Sequence, residues 1–98
     1  MSVVIDLHLK AKDKENYDKL YQTLQAILPD TAAYDGAQLI SCSANADDMS
    51  FIVHEVWESV EHQQAYLGWR QERGEIEVLV SMLGEDPQFV QREHLVFG

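Results

Sequence analysis

A chain of 98 residues with 46% apolar side chains has the length of one domain, 1–98, and too much hydrophobicity for a disordered segment. Seventeen acidic against seven basic residues give a net charge of −10, which repels nucleic acid and anionic membrane surfaces, and no run of about 18 apolar residues is present to span a bilayer. Cys42 is the single cysteine and the N-terminus carries no signal-peptide pattern, so a reduced, cytoplasmic setting is expected.

The elements follow in chain order. From Val3 to Ala11 the chain alternates, with Val3, Ile5, Leu7 and Leu9 on one side and Val4, Asp6, His8 and Lys10 on the other, as a strand with one strongly buried face does. Asp13 is placed to cap a helix on which Tyr17, Leu20, Tyr21, Leu24, Ile27 and Leu28 recur at helical spacing. Pro29 is expected to end it, with an irregular turn over 30–35 and a turn signal at Asp35-Gly36. Leu39 to Ser43 reads as a second strand, joined by a polar hairpin over 45–48 to a third from Met49 to Glu58. In that third strand Phe51, Val53, Glu55 and Trp57 share one face and Ile52, His54 and Val56 the other, the pattern of a strand covered on both sides.

Ser59 caps a second helix carrying Val60, Tyr66, Leu67 and Trp69, with Glu61 in its first turn and Gly74 at its end or bend. A short third helix presents Ile76, Leu79, Val80 and Leu83 on one stripe and closes at Gly84. The last strand is expected from Phe89 to Phe97. This order predicts an α+β, ferredoxin-like, four-stranded antiparallel sheet with helices on one face. The helices cover one face only, so the remaining apolar face predicts a homodimer with sheets packed face to face.

The segment Glu55-Val-Trp57-Glu-Ser59, with the element order around it, resembles the antibiotic biosynthesis monooxygenase family of dimeric α+β barrels, and the likeness runs over nearly the whole chain. The stretch from Trp57 to Arg70, with its Y-L-x-W-R run, resembles one branch of that family. What the resemblance implies is a pocket between sheet and helices. There some members oxidise phenols or hydroquinones to quinones without metal or flavin, while others degrade haem or act on small metabolites without oxidation. Phenol-oxidising members have an Asn four residues before the strand tryptophan, where this chain has Val53. Many quinol-acting members have a His nine residues after it, where Tyr66 stands. Haem-degrading members have a Trp there and a His about ten residues on, against Tyr66 and Ile76 here, so the haem reading is disfavoured.

The candidate catalytic residues are Trp57, Tyr66 and His8, and the candidate substrate contacts are Glu55, Arg70 and Tyr21. Trp57 offers a flat apolar wall and an indole donor, or is a core tryptophan. Glu55 shares its face, either as a base with a raised pKa or paired with a donor such as Arg70. Tyr66 and Arg70 are four apart on one helical face, set to hold a substrate hydroxyl and a phenolate charge, or to stack on one another. Trp69 is about a hundred degrees round the helix and is expected to pack elsewhere. His8, His54 and His94 lie on strands and His62 on a helix. His8 beside the face of Asp6 suggests a base with an orienting carboxylate, although strand histidines are also interface residues. No compact metal-ligand spacing occurs, Cys42 lacks an activating neighbour, and no glycine-rich phosphate loop is present, so neither metal nor cofactor is expected. The two functional readings are a cofactor-independent monooxygenase acting on a small aromatic or quinol-type metabolite, and a non-oxidative binding protein or isomerase on the same dimeric scaffold.

Overall fold

The computed structural model describes residues 2–97. The alternation of the first segment forms β1 (Val3–Lys10), with Ile5, Leu7 and Leu9 buried and His8 and Lys10 exposed. Asp13 caps α1 (Lys14–Ala32), its carboxylate accepting from the Asn16 N–H at 2.8 Å. Tyr17, Leu20 and Leu24 point this helix into the sheet. A tight turn at Gly36 leads to β2 (Ala37–Asn45), and a hairpin leads to β3 (Ser50–Trp57). Ser59 then caps α2 (Val60–Glu72) by accepting from the His62 N–H. Gly74, at φ +74°, breaks the chain into α3 (Glu75–Ser81), and β4 (Gln88–Glu93) closes the order.

The described residues form one antiparallel sheet in the order β2-β3-β1-β4, the ferredoxin-like arrangement expected. The register pairs Ile5 with Glu55, Leu7 with Val53 and Leu9 with Phe51, so the apolar side of β1 and the Phe51–Trp57 side of β3 form one inner face. The helices cover that face. Two apolar clusters fill the space between: Leu20, Tyr17, Phe51 and Met82 with their neighbours at one end, and Ile5, Trp57 and Tyr66 at the other. Trp57 is wholly buried. Burial of such a side chain contributes on the order of 2–3 kcal/mol.

Four expectations need correction. Pro29 does not end α1; the helix continues through Thr31 and Ala32. An interior proline disfavours this by about 3 kcal/mol, and the last turn is held by tertiary bonds instead. Buried Thr31 shares a 2.6 Å hydrogen bond with the Tyr66 hydroxyl, and Arg70 Nη2 donates to the Ile27 carbonyl at 2.9 Å. β2 is longer than 39–43 because β3 offers a partner at nearly every position from Trp57 to Ser50, with a bulge between Ala37 and Leu39. β4 stops at Glu93, not Phe97: Glu93 pairs with Val3, the first residue of β1, and past it the one backbone bond among the described residues is from the His94 N–H to the Ser2 carbonyl at 3.3 Å. Leu95, Val96 and Phe97 are therefore exposed. α3 ends at Ser81 rather than at Gly84. Gly84 serves a close approach instead: its N–H donates to the Lys10 carbonyl, and a Cβ there would stand 3.1 Å from the Lys12 Cα.

Candidate functional site

Period-2 geometry puts Glu55 and Trp57 side by side on the inner face, and the indole Nε1–H donates to Glu55 Oε1 at 2.8 Å. Glu55 is only 3% exposed and this is the one hydrogen bond of its side chain among the described residues. Burial raises its pKa to about 7, against the indole bond, which lowers it; the Asp6 charge across the sheet adds to the rise. The donor for Glu55 is thus Trp57 and not Arg70. Near neutral pH this carboxyl group exists in both protonation states, which suits proton transfer.

Glu55 faces a cavity of about 200 Å³ between the sheet and the three helices. Leu7 and Val53 form its floor, Leu24 and Leu28 one wall, and Ile76 and Leu79 of α3 its cover. Its polar groups, Glu55, Tyr66, Arg70, Gln71 and Glu75, come from β3, α2 and the start of α3. The stripe of α3 that the sequence marks as apolar is therefore a cavity lining, and no residue of α3 is fully buried. Val53 is apolar where the phenol-oxidising pattern has an amide.

Tyr66 and Arg70 share one face of α2, as their spacing predicts, and Arg70 Nε donates to the Tyr66 hydroxyl at 3.0 Å. Arg70 is 3% exposed. Its guanidinium also donates to Glu75 at 2.5 Å, to the Ile27 carbonyl and to Thr31 Oγ1 at 3.2 Å. Burial works against its charge, but the bonds to Tyr66 and Glu75 outweigh that and hold its pKa above the ordinary arginine value. Glu75 is held below the usual carboxylate range, chiefly by Arg73 and also by Arg70. Trp57 and Tyr66 lie with ring centroids 5.2 Å apart. Trp69 does not pack elsewhere: it lies against Tyr34 and Tyr66, with the Arg70 and Arg73 guanidinium groups 4.8 and 4.9 Å from its ring centroid.

The structure brings together Glu55, Trp57, Tyr66 and Arg70, and separates the other two candidates from them. Tyr21 is exposed on α1, beside Phe51 and Tyr17, and lines a neighbouring hollow with Cys42 and Ala44. His8 is exposed on the outer face of the sheet, away from the cavity. Asp6 orients a different histidine: His54 Nδ1 and Asp6 Oδ1 are 2.6 Å apart, and Arg92 donates to Asp6 Oδ2 at 3.1 Å. Partial burial raises the Cys42 thiol pKa, the reverse of what activates a nucleophile. No group of three or more potential metal-ligating side chains occurs among the described residues. Sequence reasoning missed Thr31 and Glu75. Thr31 was hidden behind Pro29, and Glu75 follows the Gly74 break, which carries it out of the helical spacing from Arg70.

No family model and no curated relative matches the chain in sequence. Solved structures do match it in shape. Rv0793 from Mycobacterium tuberculosis superposes with a TM-score of 0.84 over 99% of this chain and 98% of its own, at 15% identity. A structure named antibiotic biosynthesis monooxygenase gives 0.81 over 98% and 100%, at 13% identity. A monooxygenase from the gene ActVA-Orf6 of Streptomyces coelicolor, in complex with the ligand Nanaomycin D, gives 0.73 over 99% and 93%, at 17% identity. The chain thus has the fold of the antibiotic biosynthesis monooxygenases, the family that its sequence resembles. No helix among the described residues is long and apolar enough to cross a membrane.

Proposed function

We propose that the chain is a cofactor-independent monooxygenase that oxidises a small aromatic or quinol-type metabolite in the cavity between sheet and helices. The observation that carries this reading is Glu55: a carboxyl group of pKa about 7, hydrogen-bonded by Trp57, facing an apolar cavity. A phenolic hydroxyl donates to Glu55, which takes its proton. The resulting phenolate is electron-rich and reduces dioxygen itself, so that one phenol and one dioxygen give a quinone and water. Trp57 fixes the orientation of the carboxylate, the Tyr66 ring walls the site, and the apolar lining keeps bulk water from the intermediate. The monooxygenases of the same fold support the reaction class.

Oxygen uptake with a panel of simple phenols and hydroquinones tests the proposal. Uptake is expected with the native chain and is expected to fall by about two orders of magnitude in Glu55→Gln, the size of one general-base contribution. No uptake across the panel overturns it. Val53 favours a second reading, a non-oxidative binding protein or isomerase, since it leaves the cavity floor without a polar partner for the substrate. A non-aromatic ligand recovered with the purified protein decides for that reading.

The proposal includes a homodimer formed through the outer face of the sheet. Leu39, Ile52 and Val90 reach solvent there around the Asp6–His54–Arg92 cluster, apolar side chains that a second copy would cover. Light scattering is expected to give twice the chain mass, and the chain mass at micromolar concentration sinks this part.

A further inference from the structure

The polar end of the cavity contains one buried positive group, Arg70, and the protein itself occupies it. Four acceptors surround the guanidinium: the Tyr66 hydroxyl, the Ile27 carbonyl, Thr31 Oγ1 and the Glu75 carboxylate. A guanidinium has five N–H groups. Three of these acceptors are neutral, and two of them, on Ile27 and Thr31, tie α2 to the end of α1. Only Glu75 carries charge, and it lies at the cavity rim directly on Nη1. Arg73 reaches Glu75 from the solvent side, where it is 57% exposed, and it does not line the cavity. The other carboxyl group facing the cavity is Glu55, which carries negative charge or none. A ligand thus meets no free cation and at least one acceptor.

We infer that Glu75 is a specificity-determining residue: by occupying Arg70 it makes the site select uncharged, hydroxyl-headed ligands and refuse carboxylates of the same shape. This rests on the cavity being the ligand site. Without Glu75, the Nη1 of Arg70 would present its N–H groups to the cavity inside a low-dielectric wall, where the charge-assisted bond to a ligand carboxylate is the favoured one. The acidic side chain at the start of α3 therefore acts through Arg70, as a positioning residue with an electrostatic effect.

The test compares 4-propylphenol with 4-propylbenzoate by isothermal titration at pH 6, where Glu55 is mostly protonated and the benzoate is ionised. The native protein is expected to bind the phenol at least about tenfold more tightly than the benzoate. Glu75→Gln is expected to gain benzoate affinity by about tenfold with the phenol little changed, and Glu75→Asp to keep the native preference, since close charge pairs carry couplings of this size. Equal binding of the two ligands by the native protein overturns the selection while leaving the cavity as a ligand site. A Glu75→Gln protein that still refuses the benzoate overturns the role of Glu75. Binding of neither ligand by the native protein overturns the cavity reading and this inference with it.

Discussion

The two faces of this sheet are cut from the same strands, one residue out of phase, and they solve the problem of polar groups in opposite ways. On the inner face Glu55 and Arg70 are each 3% exposed, and every hydrogen bond they make is internal. On the outer face the Asp6–His54–Arg92 cluster has the same chemistry, carboxylate, aromatic nitrogen and guanidinium, but His54 and Arg92 are 41% and 61% exposed. A buried polar network must be completed from within, because an unsatisfied member there has no water to turn to. An open one need not be. The difference is that the inner network must hold its own charges in place and so bears on stability, whereas the outer one can exchange its partners for water.

Substitutions in the two networks should differ in size and in sign. The largest effect is expected at Arg70→Leu, which removes the one partner shared by Tyr66, Thr31, the Ile27 carbonyl and Glu75 and leaves Glu75 to the exposed Arg73 alone; urea unfolding should show a loss of about 3–5 kcal/mol. Glu55→Gln comes next, with the opposite sign. The Glu55 pKa rises from 4.5 unfolded to about 7 folded, so the unfolded chain releases its proton first as pH rises. The native protein therefore loses stability between about pH 4.5 and 7, by roughly 3 kcal/mol in all. Glu55→Gln should remove this loss, being more stable than the native chain at pH 8 and no more stable near pH 4. A pH-independent difference would show that Glu55 is not desolvated. Trp57→Phe keeps most of the ring but leaves Glu55 without its donor, and a loss of about 1–3 kcal/mol with a further rise of the Glu55 titration midpoint is expected by unfolding and by NMR. The smallest effect is expected at Arg92→Ala, about 0.5 kcal/mol or less for an exposed pair. A loss well above 1 kcal/mol there would mean that a second copy covers the cluster, which sharpens the contrast into an inner site and an outer interface.

Much of this was legible in the residues. The one-sided alternation of β1 and the two-sided pattern of β3 are local signals, and together with the helix caps at Asp13 and Ser59 they lead to the topology. The apolar pattern of β3 alone left open which side meets the helices; the register with β1 decides it, by setting Ile5 against Glu55. The contact of Glu55 with Trp57 was readable because residues two apart on a strand stand side by side on one face. Arg70 and Tyr66 were readable for the same reason on a helix. The partners that define their chemistry were not, because they arrive from afar: Thr31 lies 39 residues from Arg70, beyond a proline that by local rules ends its helix. The separation of His8 from Glu55 follows from strand parity. His8 stands opposite Ile52, on the outer face with His54, so the same period-2 rule that joins Glu55 to Trp57 excludes it from the cavity.

The last turn of α1 has a consequence for how the molecule breathes. Beyond Pro29 that turn is fastened by side chains of α2 and not by its own helix alone, through Thr31, Tyr66 and Arg70. In local opening it should belong to the cooperative unit of α2. The amides of Thr31 to Ala33 should then exchange their protons at the pace of α2, more slowly than a frayed helix end and out of step with the first turns of α1. The joint that releases them also frees the Arg70 guanidinium at the polar end of the cavity, so opening of this seam and exposure of that end should be one event.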